Sequence, residues 1–98
     1  MEETPPVMQM KLDKKFTGSI MKVKDGTVLR GDEWIVFLAK DNAFAMTLPT
    51  YRENCIKLGC DQEQIDAVDR LIANVEAWRK VNPKRCKNPD AAGEKMLP

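Results

Sequence analysis

Basic side chains gather at two places in this chain, and the chemistry open to them is phosphate binding. Arg79, Lys80, Lys84, Arg85 and Lys87 crowd the end of one predicted helix, while Lys11, Lys14, Lys15, Lys22 and Lys24 decorate the segments expected to be strands. If folding or assembly makes them converge, Lys22, Lys24, Arg79, Lys80, Lys84 and Arg85 could hold an anionic ligand through charge-assisted hydrogen bonds. Trp34, Tyr51 or Trp78 could then stack on a base. A plainer account competes. Cations at a helix C-terminus are favoured by its dipole, and lysines along an edge strand discourage pairing with other chains. Each of the three aromatics also lies on its element's apolar stripe, where packing is the ordinary role.

Catalytic and metal chemistry find little support. The sequence contains no histidine, which removes the commonest general base and every imidazole ligand. The acids of the second helix, Asp66, Asp69 and Glu76, fall opposite its apolar stripe, and Asp66 with Arg70 and Glu76 with Lys80 have the spacing of surface ion pairs. Cys55 and Cys60 could approach one another across a helix turn, but with Cys86 they form no C-x-x-C pair and do not close a zinc site. An odd count of cysteines also argues against a secreted disulfide framework, so all three are expected to be free thiols. The glycines suit turns, and neither a P-loop nor a dinucleotide fingerprint is present. No catalytic residue, metal or cofactor is expected, and the protein is not expected to be an enzyme.

The elements that must position these groups are legible in the periodicity. From Asp61 to Pro83 the apolar residues Ile65, Val68, Leu71, Ile72, Val75 and Trp78 step by three and four, which predicts a helix over about 62–81 with Asp61 as its cap. Phe44, Leu48, Tyr51, Cys55 and Leu58 have the same spacing and predict a helix over about 42–58 ending at Gly59. Pro49 leaves two starts open: a helix from Asp41 that carries the proline inside, or one capped by Thr47 with Pro49 in its first turn. The short connection between the two helices makes them antiparallel neighbours. Earlier, Asp25-Gly26 between β-rich runs predicts a hairpin, and Glu33-Trp34-Ile35-Val36-Phe37-Leu38 reads as a central strand covered on both faces. The expected fold is therefore α+β: a small antiparallel β-hairpin or three-stranded meander over about 15–38, followed by an antiparallel αα-hairpin packed on one face. Trp78 and Ile72 should be buried between the helices and the sheet.

The expected organisation is an arm at 1–10, a single domain at 11–83 and a basic, proline-bearing tail at 84–98. With 98 residues, a third of them charged, and a net charge of +1, composition fits one soluble domain and argues against a nucleic-acid-binding module. The longest apolar run, Trp34 to Ala39, is far short of the roughly 20 residues that span a membrane. Met1-Glu2-Glu3 is no signal-peptide start, so a cytoplasmic location and no membrane partner are expected. A core this small makes homo-oligomerisation an expected way to cover apolar surface.

One resemblance adds context. The stretch Asp25 to Phe37, then Ala39-Lys40-Asp41, Leu48, Tyr51-Arg52, Cys55, Leu58-Gly59 and Val68 through Trp78 resemble a family of small proteins of tailed phages and prophages, over roughly residues 16–90. That family has no established activity, so no residue role comes with it. The resemblance implies a non-structural phage protein acting in the host bacterial cytoplasm. Such proteins often neutralise a host component, and one recurring type is an oligomeric sponge that sequesters a signal nucleotide. The expected function is accordingly a non-enzymatic, oligomeric phage accessory protein that binds a phosphate-bearing nucleotide. The alternative is a protein inhibitor or adaptor that docks on a host enzyme through a helix face or an edge strand.

Overall fold

The computed structural model describes residues 14–91. The arm expected at 1–10 and the tail beyond residue 91 lie outside the described residues. The described chain falls into two compact units, one containing residues 14–36 and the other Phe37–Pro89.

The second unit is a helical hairpin. Helix α1 runs Asn42–Lys57 and helix α2 runs Gln62–Val81. Asp41 caps α1 by accepting the Phe44 amide at 3.0 Å, so of the two possible starts the chain uses the earlier one and carries Pro49 inside the helix. Asp61 caps α2 in the same way, accepting the Gln64 amide at 2.8 Å. Between them the chain reverses at Gly59, whose φ of 76° is in the left-handed region that costs glycine least. The amide of Gly59 bonds the Ile56 carbonyl and that of Cys60 bonds the Cys55 carbonyl, each at 3.0 Å. This pair of bonds is a Schellman closure, and it satisfies carbonyls the helix end would otherwise leave open. After α2, Asn82 caps the last turn and Pro83–Arg85 makes a single 3-10 turn. Lys87 then runs beside the start of α1: its amide donates to Lys40, and its carbonyl accepts from Asn42.

The buried core is small. Leu48 and Cys55 come from α1, and Ile65, Val68 and Val75 from α2. Ile72 and Trp78, expected to be buried against a sheet, are only half-buried. A polar clamp flanks the seam: Arg52 donates through Nε and, at 3.3 Å, through Nη2 to the Asp69 carboxylate. Asp69 is therefore a cross-helix partner, not part of a purely solvated face. Asp66 accepts from Gln62 at 2.9 Å, a contact within α2.

The hydrogen bonds from Arg52, and then its charge, hold the Asp69 carboxyl below its ordinary value of 3.8. The clamp thus stabilises the folded state above that pH and ceases to do so as pH falls through the lowered folded value. Arg52→Met is expected to be less stable than the parent near neutrality. The gap should close on acidification; urea unfolding across an acid pH series checks this, and a constant gap would mean that Arg52 acts through packing alone.

The α+β expectation is corrected: the described residues contain no strand. In the first unit Met21 faces Val28 in one isolated antiparallel bridge. Lys22 and Leu29 donate across it to Thr27 and Ile20, at 2.8 and 2.9 Å, and Asp25-Gly26 makes the turn with Gly26 at a φ of 77°. The local hairpin signal is answered, but the ladder does not extend. Its register would next bring Gly18 opposite Gly31, whose carbonyl instead accepts the Lys14 ammonium, while Arg30, Asp32 and Glu33 close a side-chain-bonded turn. Nor is Trp34 to Leu38 a central strand covered on both faces. Ile35 is 60% and Phe37 52% exposed, whereas Trp34 and Val36 are half-buried. Among the described residues no helix is long and apolar enough to cross a membrane.

Candidate functional site

A groove of about 470 Å³ opens on the helical hairpin near the start of α1 and the end of α2. Its apolar wall includes Leu48, Ile72 and Val75, with Met46 at the rim. The polar side is made by Asn42, Glu76, Arg79 and Asn88. Helical spacing explains part of this grouping: Ile72, Val75, Glu76 and Arg79 are three or four apart and share one side of α2.

Arg79 is the sequence-predicted site residue that the groove contains, and it is already engaged. Nη1 donates to the Ala39 carbonyl at 3.0 Å and Nη2 to Asn42 Oδ1 at 2.7 Å. Asn42 passes the chain on through Nδ2 to Asn88 Oδ1 at 2.8 Å. Two of the five guanidinium N–H groups have these partners, so Arg79 is a strut that ties the start of α1 to the end of α2. Asn42 and Asn88 lie 46 positions apart. No local pattern in the sequence announces their meeting.

The other predicted residues divide between the two units. Lys80, Lys84 and Arg85 are exposed at the C-terminal end of α2, and the Arg85 guanidinium sits 5.3 Å from the centre of the Trp78 ring. That ring face has a cation on it already. Tyr51 is exposed midway along α1, on a different part of the hairpin from Trp78. Lys22 and Lys24 are exposed in the turn region of the first unit, where Trp34 lies with the Lys14 ammonium 3.3 Å from its ring centre. Within the helical unit, then, Trp78, Arg79, Lys80, Lys84 and Arg85 share one end, which can offer hydrogen bonds and positive charge beside an apolar groove. Among the described residues no three carboxylate or thiol groups are placed to hold a metal ion.

A second feature escaped the sequence reading because one stripe was assigned to burial as a whole. Phe44, Tyr51 and Leu58 are seven apart, as are Leu71 and Trp78. Two turns of helix bring such residues back to within about 20° of one another. On α1 this row lies beside the buried pair Leu48 and Cys55, on the side away from Arg52. On α2, Leu71 and Trp78 likewise lie away from Asp69. Because Arg52 and Asp69 meet, the two apolar rows occupy the opposite face of the hairpin. Tyr51 is 48%, Leu58 82% and Leu71 44% exposed there, and Phe37 extends the face by stacking on Phe44 with ring centres 5.3 Å apart.

No protein-family model, curated protein or solved structure matches the chain.

Proposed function

We propose that this is a non-enzymatic binding protein that works as a homo-oligomer: two helical hairpins pair through the face bearing Phe44, Tyr51, Leu58, Leu71 and Trp78. The observation that carries the reading is the seven-residue spacing of apolar side chains left exposed or half-buried on both helices, Tyr51, Leu58 and Leu71 exposed and Phe44 and Trp78 half-buried, the seam pattern of helix bundles. A two-helix unit with five buried apolar side chains gains core by such pairing. The pairing leaves the opposite face, with the groove and the Arg79 to Lys80 end of α2, open to a ligand. The exposed cations Lys80 and Lys84 favour a phosphate-bearing one, while Arg85, over the Trp78 ring, stays with the pairing face, and the resemblance to phage proteins supports a host nucleotide, sequestered in the bacterial cytoplasm. The second reading keeps the same apolar face but gives it to a host enzyme, with the protein as inhibitor or adaptor.

Light scattering on the purified protein is expected to return a multiple of the 11.1 kDa chain mass. A variant carrying Tyr51→Lys and Leu71→Lys should return the monomer mass while keeping its helical circular dichroism, because unpaired charge on a buried face opposes association. A parent protein that is monomeric at micromolar concentration sinks self-association and assigns the face to another protein. Mass spectrometry of the supernatant after denaturation tests the ligand: a released nucleotide supports sequestration, and an empty oligomer removes it.

A further inference from the structure

The sequence leaves Cys55 and Cys60 as free thiols that could approach one another across a helix turn, and the turn between the helices places them together. They occupy the two positions that a Schellman closure brings into side-chain contact, the third residue from the helix end and the second beyond its cap. The 3.0 Å bond from the Cys60 amide to the Cys55 carbonyl and the left-handed Gly59 fix that closure. Cys55 is buried with Ile65 and Val68, whereas Cys60 is exposed. We propose that Cys55 and Cys60 form a dithiol modification site, in which a small disulfide of the glutathione class attaches at the exposed Cys60 and the buried Cys55 resolves it to an intrachain disulfide.

The Cys60 amide bond to the Cys55 carbonyl keeps the two side chains on one closed turn. Desolvation first, and then the neighbouring Cys55 sulfur, holds the Cys60 thiol above its ordinary value, so attack draws on a small thiolate fraction. In the first exchange the Cys60 thiolate attacks one sulfur of the small disulfide, forming a mixed disulfide and expelling one small thiolate. In the second, the Cys55 thiolate attacks Cys60 Sγ, forming the protein disulfide and expelling the other. Two protein thiols are oxidised and one disulfide is reduced to two thiols, with the protein's two protons passing to the departing thiolates. Proximity makes the second step intramolecular. The product would staple the end of α1 to the connection that leads into α2.

The test treats the full-length native protein with oxidised glutathione, alkylates the remaining thiols and digests with trypsin without reduction. Lys57 lies between the two cysteines, so the proposed product joins the Glu53–Lys57 peptide to the Leu58–Arg70 peptide. Free thiols are expected to fall from three to one per chain, and Cys86→Ser should yield the same linked pair. In Cys60→Ser the buried Cys55 should remain a free thiol. The linked pair should form more slowly when the chain is unfolded in urea. A stable glutathione adduct on Cys60 beside an intact Cys55 thiol, a crosslink between chains, or equal rates in native and unfolded protein would each overturn the proposal.

Discussion

Truncating Ile65 to alanine is expected to cost about 2 to 5 kcal/mol, the range for deleting a well-packed aliphatic side chain and leaving a cavity. Ile65 is 5% exposed and packs with Cys55 and Val68 where the two helices meet. A core of this size supplies only a few kcal/mol in total, so the variant should sit close to its unfolding transition in water. The contrast with Leu58→Ala is the informative part. Both are apolar residues on predicted helical stripes, but Leu58 is almost fully exposed, and its truncation should fall within about 0.5 kcal/mol in the monomer. Urea unfolding of both variants, at a concentration low enough to suppress association, measures the difference. Equal losses would mean that the stripe is buried as a whole.

What separates Ile65 from Leu58 is also what separates the legible part of this fold from the rest. Helix existence and helix ends are local matters: Asp41 and Asp61 cap through their own side chains, Gly59 takes the one backbone conformation the reversal requires, and both are visible as residue types at fixed offsets. The choice between the two starts of α1 was not local. A proline inside a helix costs about 3 kcal/mol, an argument for starting late. The early turns are held instead by partners far along the chain: the Asn42 amide bonds the Lys87 carbonyl, and the Asn42 side chain meets Arg79 and Asn88.

The strands failed for the complementary reason. β-branched and aromatic residues show that a segment suits a pleated surface, but a ladder needs a partner in register. Met21 and Val28 find one another across a turn only a few residues long, so that contact could be read. The neighbouring Gly31 carbonyl is taken by a lysine 17 positions earlier, and Phe37 stacks on Phe44. Both competitors come from elements the strand pattern does not describe. The candidate site has the same mixture. Crowding of bases at the end of α2 was visible as composition, whereas the groove depends on Asn42 and Asn88, which no spacing connects.

Replacing Arg79 by methionine is the variant that decides whether that residue is a strut or a ligand. Its guanidinium holds the Ala39 carbonyl and the Asn42 side chain, and both acceptors are partly buried. Hydrogen bonds from a charged donor contribute about 1.5 to 3 kcal/mol each, and methionine keeps much of the packing while supplying no donor. The expected loss is therefore about 3 kcal/mol, approaching that of Ile65→Ala. It should also be localised. Hydrogen exchange at the amides of residues 42–48 ought to accelerate more than at 65–75, because the bonds lost are those that anchor the start of α1 against the end of α2. Lys84→Ala is the matching control: Lys84 is exposed, so its removal should leave stability unchanged and weaken only a phosphate ligand held at that end. If Arg79→Met proves as stable as the parent yet loses nucleotide binding, Arg79 is a ligand and the groove is built around it. If it loses stability and the exchange pattern concentrates at 42–48, the two ends of the hairpin are locked through Arg79, and any phosphate contact must come from the exposed cations beyond it.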